Sequence, residues 1–101
     1  MRGIDSIPPL MRDIDRIIAR LSAELPGIRI RQLEVLYPGA DDDGLWFMRL
    51  PGRKGEVQVE SSSGSCPFLI EADCTDERFT GHDVGETVRI VRDLFDRCPA
   101  H

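Results

Sequence analysis

The stretch Glu56-Val57-Gln58-Val59-Glu60 alternates strictly between polar and apolar side chains. Because successive side chains of a strand point to opposite faces, this alternation predicts a strand with one face buried and the other in water. The segments on both sides of it have the composition of further strands joined by short turns. This stretch therefore predicts the central strand of a sheet, and the neighbouring segments are expected to pair with it.

Two neighbouring strands are predicted at residues 45–50 and 67–72, separated from the central stretch by turns rich in Gly, Pro and Ser. The first strand is predicted within residues 28–37. Its apolar phase changes along the segment, which predicts a bulge near Arg31-Gln32, since a slip of one residue moves every side chain to the other face. Four strands with short connections predict an antiparallel meander.

Helices are predicted at both ends of this sheet. Apolar residues recur at helical spacing from Leu10 to Leu25, Pro8-Pro9 suits the first turn, and Ser6 is a candidate cap. Pro26-Gly27 ends this helix.

Residues 73–82 form a polar stretch that predicts a loop, and the last helix follows it. Asp83 and Glu86 have the spacing of a capping box at its start. The predicted fold is α+β in the order α-β-β-β-β-α, a four-stranded antiparallel meander with both helices packed on one face, and residues 1–101 form a single domain.

The predicted register determines which side chains face away from the helices. A four-residue turn at 52–55 pairs Leu50 with Val57 and Met48 with Val59, which places Trp46 in the core and Arg49 outside. The outward set is then Phe47, Arg49, Gln58, Glu60 and Glu71, with Arg29 or Arg31. An exposed aromatic ring among charges of both signs is typical of binding surfaces and dimer interfaces, so this set is the leading candidate binding site. The alternative interpretation is a set of cross-strand ion pairs on a solvated face.

The net charge of the chain limits the classes of partner that it is expected to bind. Thirteen Lys and Arg against 18 Asp and Glu give a net charge of −5. This charge disfavours nucleic acid and anionic membranes, and no apolar run approaches the roughly 20 residues that span a bilayer. A negative field speeds encounter with a positively charged protein, so a homodimer or a basic protein partner is expected.

The chain has three cysteines, Cys66, Cys74 and Cys98, which cannot all pair within one chain. The N-terminus lacks the apolar segment of a signal peptide, so reduced, cytoplasmic thiols are expected, with Cys98 on the apolar face of the last helix. The spacing of the Cys and His residues does not resemble a zinc site, and neither a metal nor a cofactor is expected. The alternative function is a small thiol-dependent enzyme or redox protein using Cys66 with His82.

Residues 46–52, 56–62 and 66–71 resemble a group of small, free-standing bacterial proteins of unknown function, over roughly residues 28–95. The resemblance implies that the second to fourth strands belong together. It brings no activity, cofactor or catalytic residue. Because the short loops leave little room for a deep cleft, the leading expectation is a non-catalytic binding module that uses the outward sheet face.

Overall fold

A computed structural model describes residues 12–33 and 44–98 of the chain. Its elements in order are α1 (Asp13–Glu24), β1 (Arg29–Gln32), β2 (Leu45–Arg49), β3 (Glu56–Glu60), β4 (Phe68–Ala72), β5 (Arg78–Gly81) and α2 (Val84–Arg97). The fold class is α+β, as predicted. The sheet, however, has five strands rather than four.

The strands follow one another in the order β1-β2-β3-β4-β5, and every neighbouring pair is antiparallel. The added strand is β5, which lies in the segment expected to be a polar loop. Phe79 and Gly81 are the more buried residues of β5, and Arg78 and Thr80 are exposed. The alternation in β5 covers only four residues, flanked by charged and polar side chains, which is too short to predict a strand from the sequence. Pairing with β4 supplies the backbone hydrogen bonds that make this segment a strand.

The predicted bulge near Arg31-Gln32 is wrong. Strand β1 pairs continuously with β2 from Arg29↔Arg49 to Gln32↔Trp46, and the Leu33 N–H donates to the Leu45 carbonyl at 2.8 Å. Leu33 therefore continues the outward phase of the strand. The change of apolar phase means that both faces carry apolar residues at this point, and residues 34–37 lie outside the described part of the chain.

The predicted pairing of β2 with β3 has the correct faces but the wrong register. Met48 lies opposite Val57 and Trp46 opposite Val59, a shift of two residues from the predicted pairs. The connection is longer than four residues because Leu50 has left the strand, and its carbonyl accepts from the Arg53 N–H at 3.0 Å. A shift of two preserves the side-chain alternation, so Trp46 and Met48 are buried and Arg49 is exposed, as predicted.

One core cluster holds the inward side chains of the sheet together with the buried residues of both helices. From α1 these are Ile14, Ile17 and Leu21; from α2 they are Val88, Val91, Leu94 and Phe95; from the sheet they include Trp46, Met48, Val57, Val59, Phe68 and Ile70. This packing places both helices on one face of the sheet. The opposite face, called the outer face below, is the side to which the alternate strand residues point.

The two helices begin in different ways. Helix α1 starts at Asp13, later than predicted, because Arg12 already has extended backbone angles and its N–H donates to Asp15 Oδ2 at 2.9 Å. The Ser6 cap and Pro8-Pro9 lie outside the described residues. At α2 the predicted cap is confirmed, since the Glu86 N–H donates to Asp83 Oδ1 at 2.7 Å.

The arginines at the start of α1 and along it, Arg12, Arg16 and Arg20, each lie near a carboxylate of the same segment. Arg16 lies 3.6 Å from Asp13, and Arg20 lies 3.2 Å from Glu24. Arg92 of α2 also reaches Glu24 at 2.8 Å and so ties the two helices together. Across residues 12–33 and 44–98, no helix is long and apolar enough to cross a membrane.

Candidate interaction surface

The centre of the outer face is a row of five side chains that crosses every strand of the sheet. The register aligns Arg31, Phe47, Gln58, Glu71 and Arg78 in that order from β1 to β5. The Arg31 guanidinium lies over the Phe47 ring, 4.7 Å from its centroid, and Arg78 Nε lies 2.8 Å from Glu71 Oε2. A half-buried aromatic ring thus lies in a row with charges of both signs.

A second row lies at the end of the sheet where β2 turns into β3. It contains Arg29, Arg49, Glu56 and, after the end of β4, Asp73, whose N–H donates to the Glu56 carbonyl at 3.1 Å. Arg49 Nε binds Glu56 Oε2 at 3.2 Å, yet 57% of the Arg49 side chain stays exposed. This row therefore presents basic side chains from β1 and β2 and acidic ones from β3 onward.

The third row adds apolar surface. Leu45, Glu60, Leu69 and Thr80 lie side by side on β2 to β5, and Leu33 precedes them beside Leu45. The three leucines are half-buried, and Glu60 is exposed. Within the part of the chain that the structure describes, Glu60 and Arg29 have no ion-pair partner. Leu33, Leu45 and Phe47 are neighbours on the first two strands and form an apolar patch bordered by charges, and Leu69 lies on the far side of Glu60.

The structure places every residue of the predicted binding set on the outer face: Phe47, Arg49, Gln58, Glu60 and Glu71. Arg29 and Arg31 both lie there as well. Sequence reasoning missed Arg78, because β5 was not recognised. It also missed Leu45 and Leu69, since the apolar runs that contain them hide the alternation.

The outer face is not the acidic surface that the net charge of the chain suggests. Its described part carries four arginines (Arg29, Arg31, Arg49 and Arg78) and four carboxylates (Glu56, Glu60, Glu71 and Asp73). The signs are partly separated, because β1 and β2 supply three of these arginines and β3, β4 and the residue after β4 supply the carboxylates, whereas the fourth arginine, Arg78 of β5, is ion-paired with Glu71. The described part of this face therefore carries no excess of acid, which removes the main support for a basic partner there.

Cys66 and His82, the residues of the alternative thiol site, have separate partners. The Cys66 N–H donates to Asp13 Oδ2 at 2.9 Å, whereas His82 Nδ1 lies 2.9 Å from Glu86 Oε1. Burial, reinforced by the Asp13 carboxylate, raises the pKa of the Cys66 thiol to about 11. A reactive thiol needs a lowered pKa, so the surroundings of Cys66 act in the opposite direction.

Alkylation of Cys66 by iodoacetamide at pH 8 is expected to be at least about tenfold slower in the folded protein than in the urea-unfolded chain. The raised pKa leaves little thiolate, which is the nucleophile. Mass spectrometry without reductant follows this thiol alone, because Cys74 and Cys98 are joined to each other. The folded-state rate should keep rising toward pH 11, and Cys66→Ser provides the blank. A rate that levels off below about pH 8.5 would support the thiol alternative instead.

The other two cysteines correct the expectation of reduced thiols. Cys74 and Cys98 form a disulfide, with 5.6 Å between their Cα atoms. Cys98 is buried, as predicted, and Cys74, in the loop before β5, is exposed. The spacing gave no reason to pair residues 24 positions apart, which the fold brings together by setting the end of α2 against that loop. Because disulfides are typical of oxidising compartments, the thiols no longer support the cytoplasmic prediction.

The described residues do not build an evident small-molecule or metal site. No group of three or more His, Cys, Asp or Glu side chains among them could hold a metal ion. A depression beside Gln58, Glu71 and Arg78 encloses about 230 Å³. A second depression, lined by Lys54, Gly55, Asp73 and Cys74, is mainly apolar and encloses about 250 Å³. Ligand pockets usually enclose roughly 300–1,000 Å³, so both depressions are small for such a role.

No protein-family model matches the chain, and no curated protein or solved structure matches it either. No relative therefore assigns a role to any of its residues.

Proposed function

We propose that this chain is a non-catalytic interaction module that docks a protein partner on its outer face. The observation that carries the proposal is the apolar patch of Phe47 and its neighbouring leucines, on a face that none of the described helices covers. Aromatic residues in the centre of a patch bordered by charges supply most of the binding energy in protein interfaces.

The alternative interpretation, a solvated face of ion pairs, explains only part of the geometry. It accounts for Arg49 with Glu56 and for Arg78 with Glu71. It does not account for the half-buried leucines, nor for Arg29 and Glu60, which find no ion-pair partner among the described residues. A protein partner would cover the apolar patch and bring its own charges to the basic side chains that border it.

The surroundings of Cys66 and His82 do not favour the alternative function, a thiol-dependent enzyme or redox protein. Its two residues have separate partners, and the pKa of the thiol is displaced in the unfavourable direction.

A photo-crosslinking residue at position 60, on the outer face, tests the proposal in the cells that encode the protein. Its matched control is the same residue at position 93, an exposed site on α2. Position 60 should give one discrete protein adduct that position 93 does not give. The captured protein, once purified, is titrated by calorimetry against the wild type and Phe47→Ala.

Because Phe47 lies at the centre of the patch, Phe47→Ala should weaken binding at least about tenfold, with circular dichroism confirming that the variant stays folded. An adduct between two copies of the chain counts as a protein partner. Equal labelling from positions 60 and 93, or unchanged affinity of Phe47→Ala, would overturn the proposal.

A further inference from the structure

We infer that the partner of the outer face is a second copy of this chain, stacked face to face about a two-fold axis that runs along the strands between β2 and β3. This inference rests on the proposed function, because it names the occupant of the same surface. The distribution of charge across the strands of the outer face supports it.

The outer face is divided into a basic half and an acidic half by the line between β2 and β3. On one side lie Arg29, Arg31 and Arg49. On the other side lie Glu56, Glu60 and Glu71, followed by Asp73, and Arg78 at the β5 edge, which is ion-paired with Glu71 of its own chain, so this half keeps an excess of carboxylates. A surface with this division is complementary to itself, since an isologous interface brings the same patch of both subunits together.

A half-turn about that line sets β2 of one copy over β3 of the other, and β1 over β4. Within the central row, Arg31 of one copy then faces Glu71 of the other. In the row at the β2–β3 turn, Arg49 faces Glu56. Arg29, which has no ion-pair partner among the described residues of its own chain, faces Asp73. The symmetry repeats each pair, which gives six oppositely charged pairs across the interface.

The apolar side chains fit the same axis. Leu33 of one copy lies over Leu69 of the other, and Phe47 lies over the aliphatic part of Gln58. Leu45 lies over Glu60, so the aliphatic part of Glu60 covers this leucine and its carboxylate gains no basic partner from the second copy. An axis across the strands through the central row would instead place Glu56 over Glu60, so the charges select the axis along the strands. Packed sheets lie about 10 Å apart, which accommodates these side chains between them.

The size of the outer face limits the surface area that this dimer can bury. Because the axis leaves β5 without an opposing strand, four strands about 4.8 Å apart, over three rows of side chains, give roughly 400 Å² per copy, about 800 Å² in total, which is the size of a weak, transient interface. The net charge of −5 on each chain also opposes association at long range. We expect a weak, reversible dimer that is favoured at 0.15 M salt, where the Debye length of about 8 Å screens this repulsion.

Paired charge reversals test the inference. Arg31→Glu and Glu71→Arg each replace two attractive cross-subunit pairs by two repulsive ones, so each variant alone should have a Kd at least about tenfold higher than the wild type. Mixed in equal amounts, the two variants regain both attractive pairs in the heterodimer. The mixture should therefore dimerise within about threefold of the wild type in sedimentation velocity.

Matched controls carry the same reversals on the helix side of the molecule, at the exposed residues Arg89 and Asp93. Arg89→Glu and Asp93→Arg should leave the dimer unchanged, and their mixture should gain nothing. A wild type that stays monomeric to 1 mM, single reversals that dimerise like the wild type, or a mixture that fails to recover would each overturn the inference. Phe47-dependent binding of a different protein by a monomeric chain would overturn it as well, while leaving the proposed function standing.

Discussion

Replacing Gly44 by alanine is expected to lower the free energy of unfolding by about 2–4 kcal/mol. Gly44 is buried just before β2, and a Cβ there would overlap the Ser61 carbonyl and lie 2.7 Å from Ser62 Cα. These are backbone atoms of the turn after β3. That turn is held in place, because the Ser61 N–H donates to the Gly44 carbonyl at 2.8 Å and Ser61 Oγ donates to the Ser65 carbonyl at 2.7 Å.

Urea denaturation followed by circular dichroism measures this change, with Gly85→Ala as the matched control. A Cβ at Gly85 makes only ordinary contacts, 3.5 Å from Asp83 Oδ1 and 3.7 Å from Arg20 Nη1. Because alanine is the better helix former, this control should be neutral or stabilise α2 by up to about 1 kcal/mol. Equal effects of the two substitutions would mean that Gly44 is not in close contact with the turn.

The second large effect is expected from Cys74→Ser, which removes the disulfide to Cys98. The disulfide closes a ring that contains β5 and α2 between residues 24 positions apart. By restricting the unfolded chain, a ring of this size is expected to stabilise the fold by about 3 kcal/mol. Cys74 is the better residue to replace because it is exposed, whereas a serine at position 98 would also place a hydroxyl group in the core.

Reductant provides the control for this prediction. Dithiothreitol should destabilise the wild type by a similar amount and leave Cys74→Ser unchanged. Thiol counting under denaturing conditions without reductant should find one free thiol in the wild type, Cys66. Three free thiols, or wild-type stability that reductant does not alter, would contradict the disulfide.

The sequence was sufficient to predict the antiparallel meander and the buried faces of β2, β3 and β4, but not of β1, where the predicted bulge is absent. The alternation around Val57 and Val59 has a single interpretation, and an even shift of register cannot exchange the faces. It was insufficient for β5, whose four residues become a strand through pairing with β4 rather than through their own pattern. The exact pairing of β2 with β3 depended on where the turn begins, which local composition does not determine.

The candidate site was predicted in its members but not in its charge. The residues around Phe47 were placed on the outer face by alternation alone. Their balance of charge needed Arg29, Arg31 and Arg78 to be placed as well, and those placements depend on the register of β1 and on the existence of β5. The disulfide could not be predicted from the sequence, because the spacing of the three cysteines does not indicate which two of them pair.

The order of the strands also has a consequence for how the chain folds. Each strand pairs with its neighbours in sequence, and the connections from β2 to β5 are short, so these hairpins can form by successive local steps, whereas residues 33–44 make the β1–β2 connection longer. The contact of α1 with α2 is of a different kind, since Glu24 and Arg92 are 68 residues apart. We expect the hairpins of β2 to β5 to form early and the docking of α1 against α2 to complete the core.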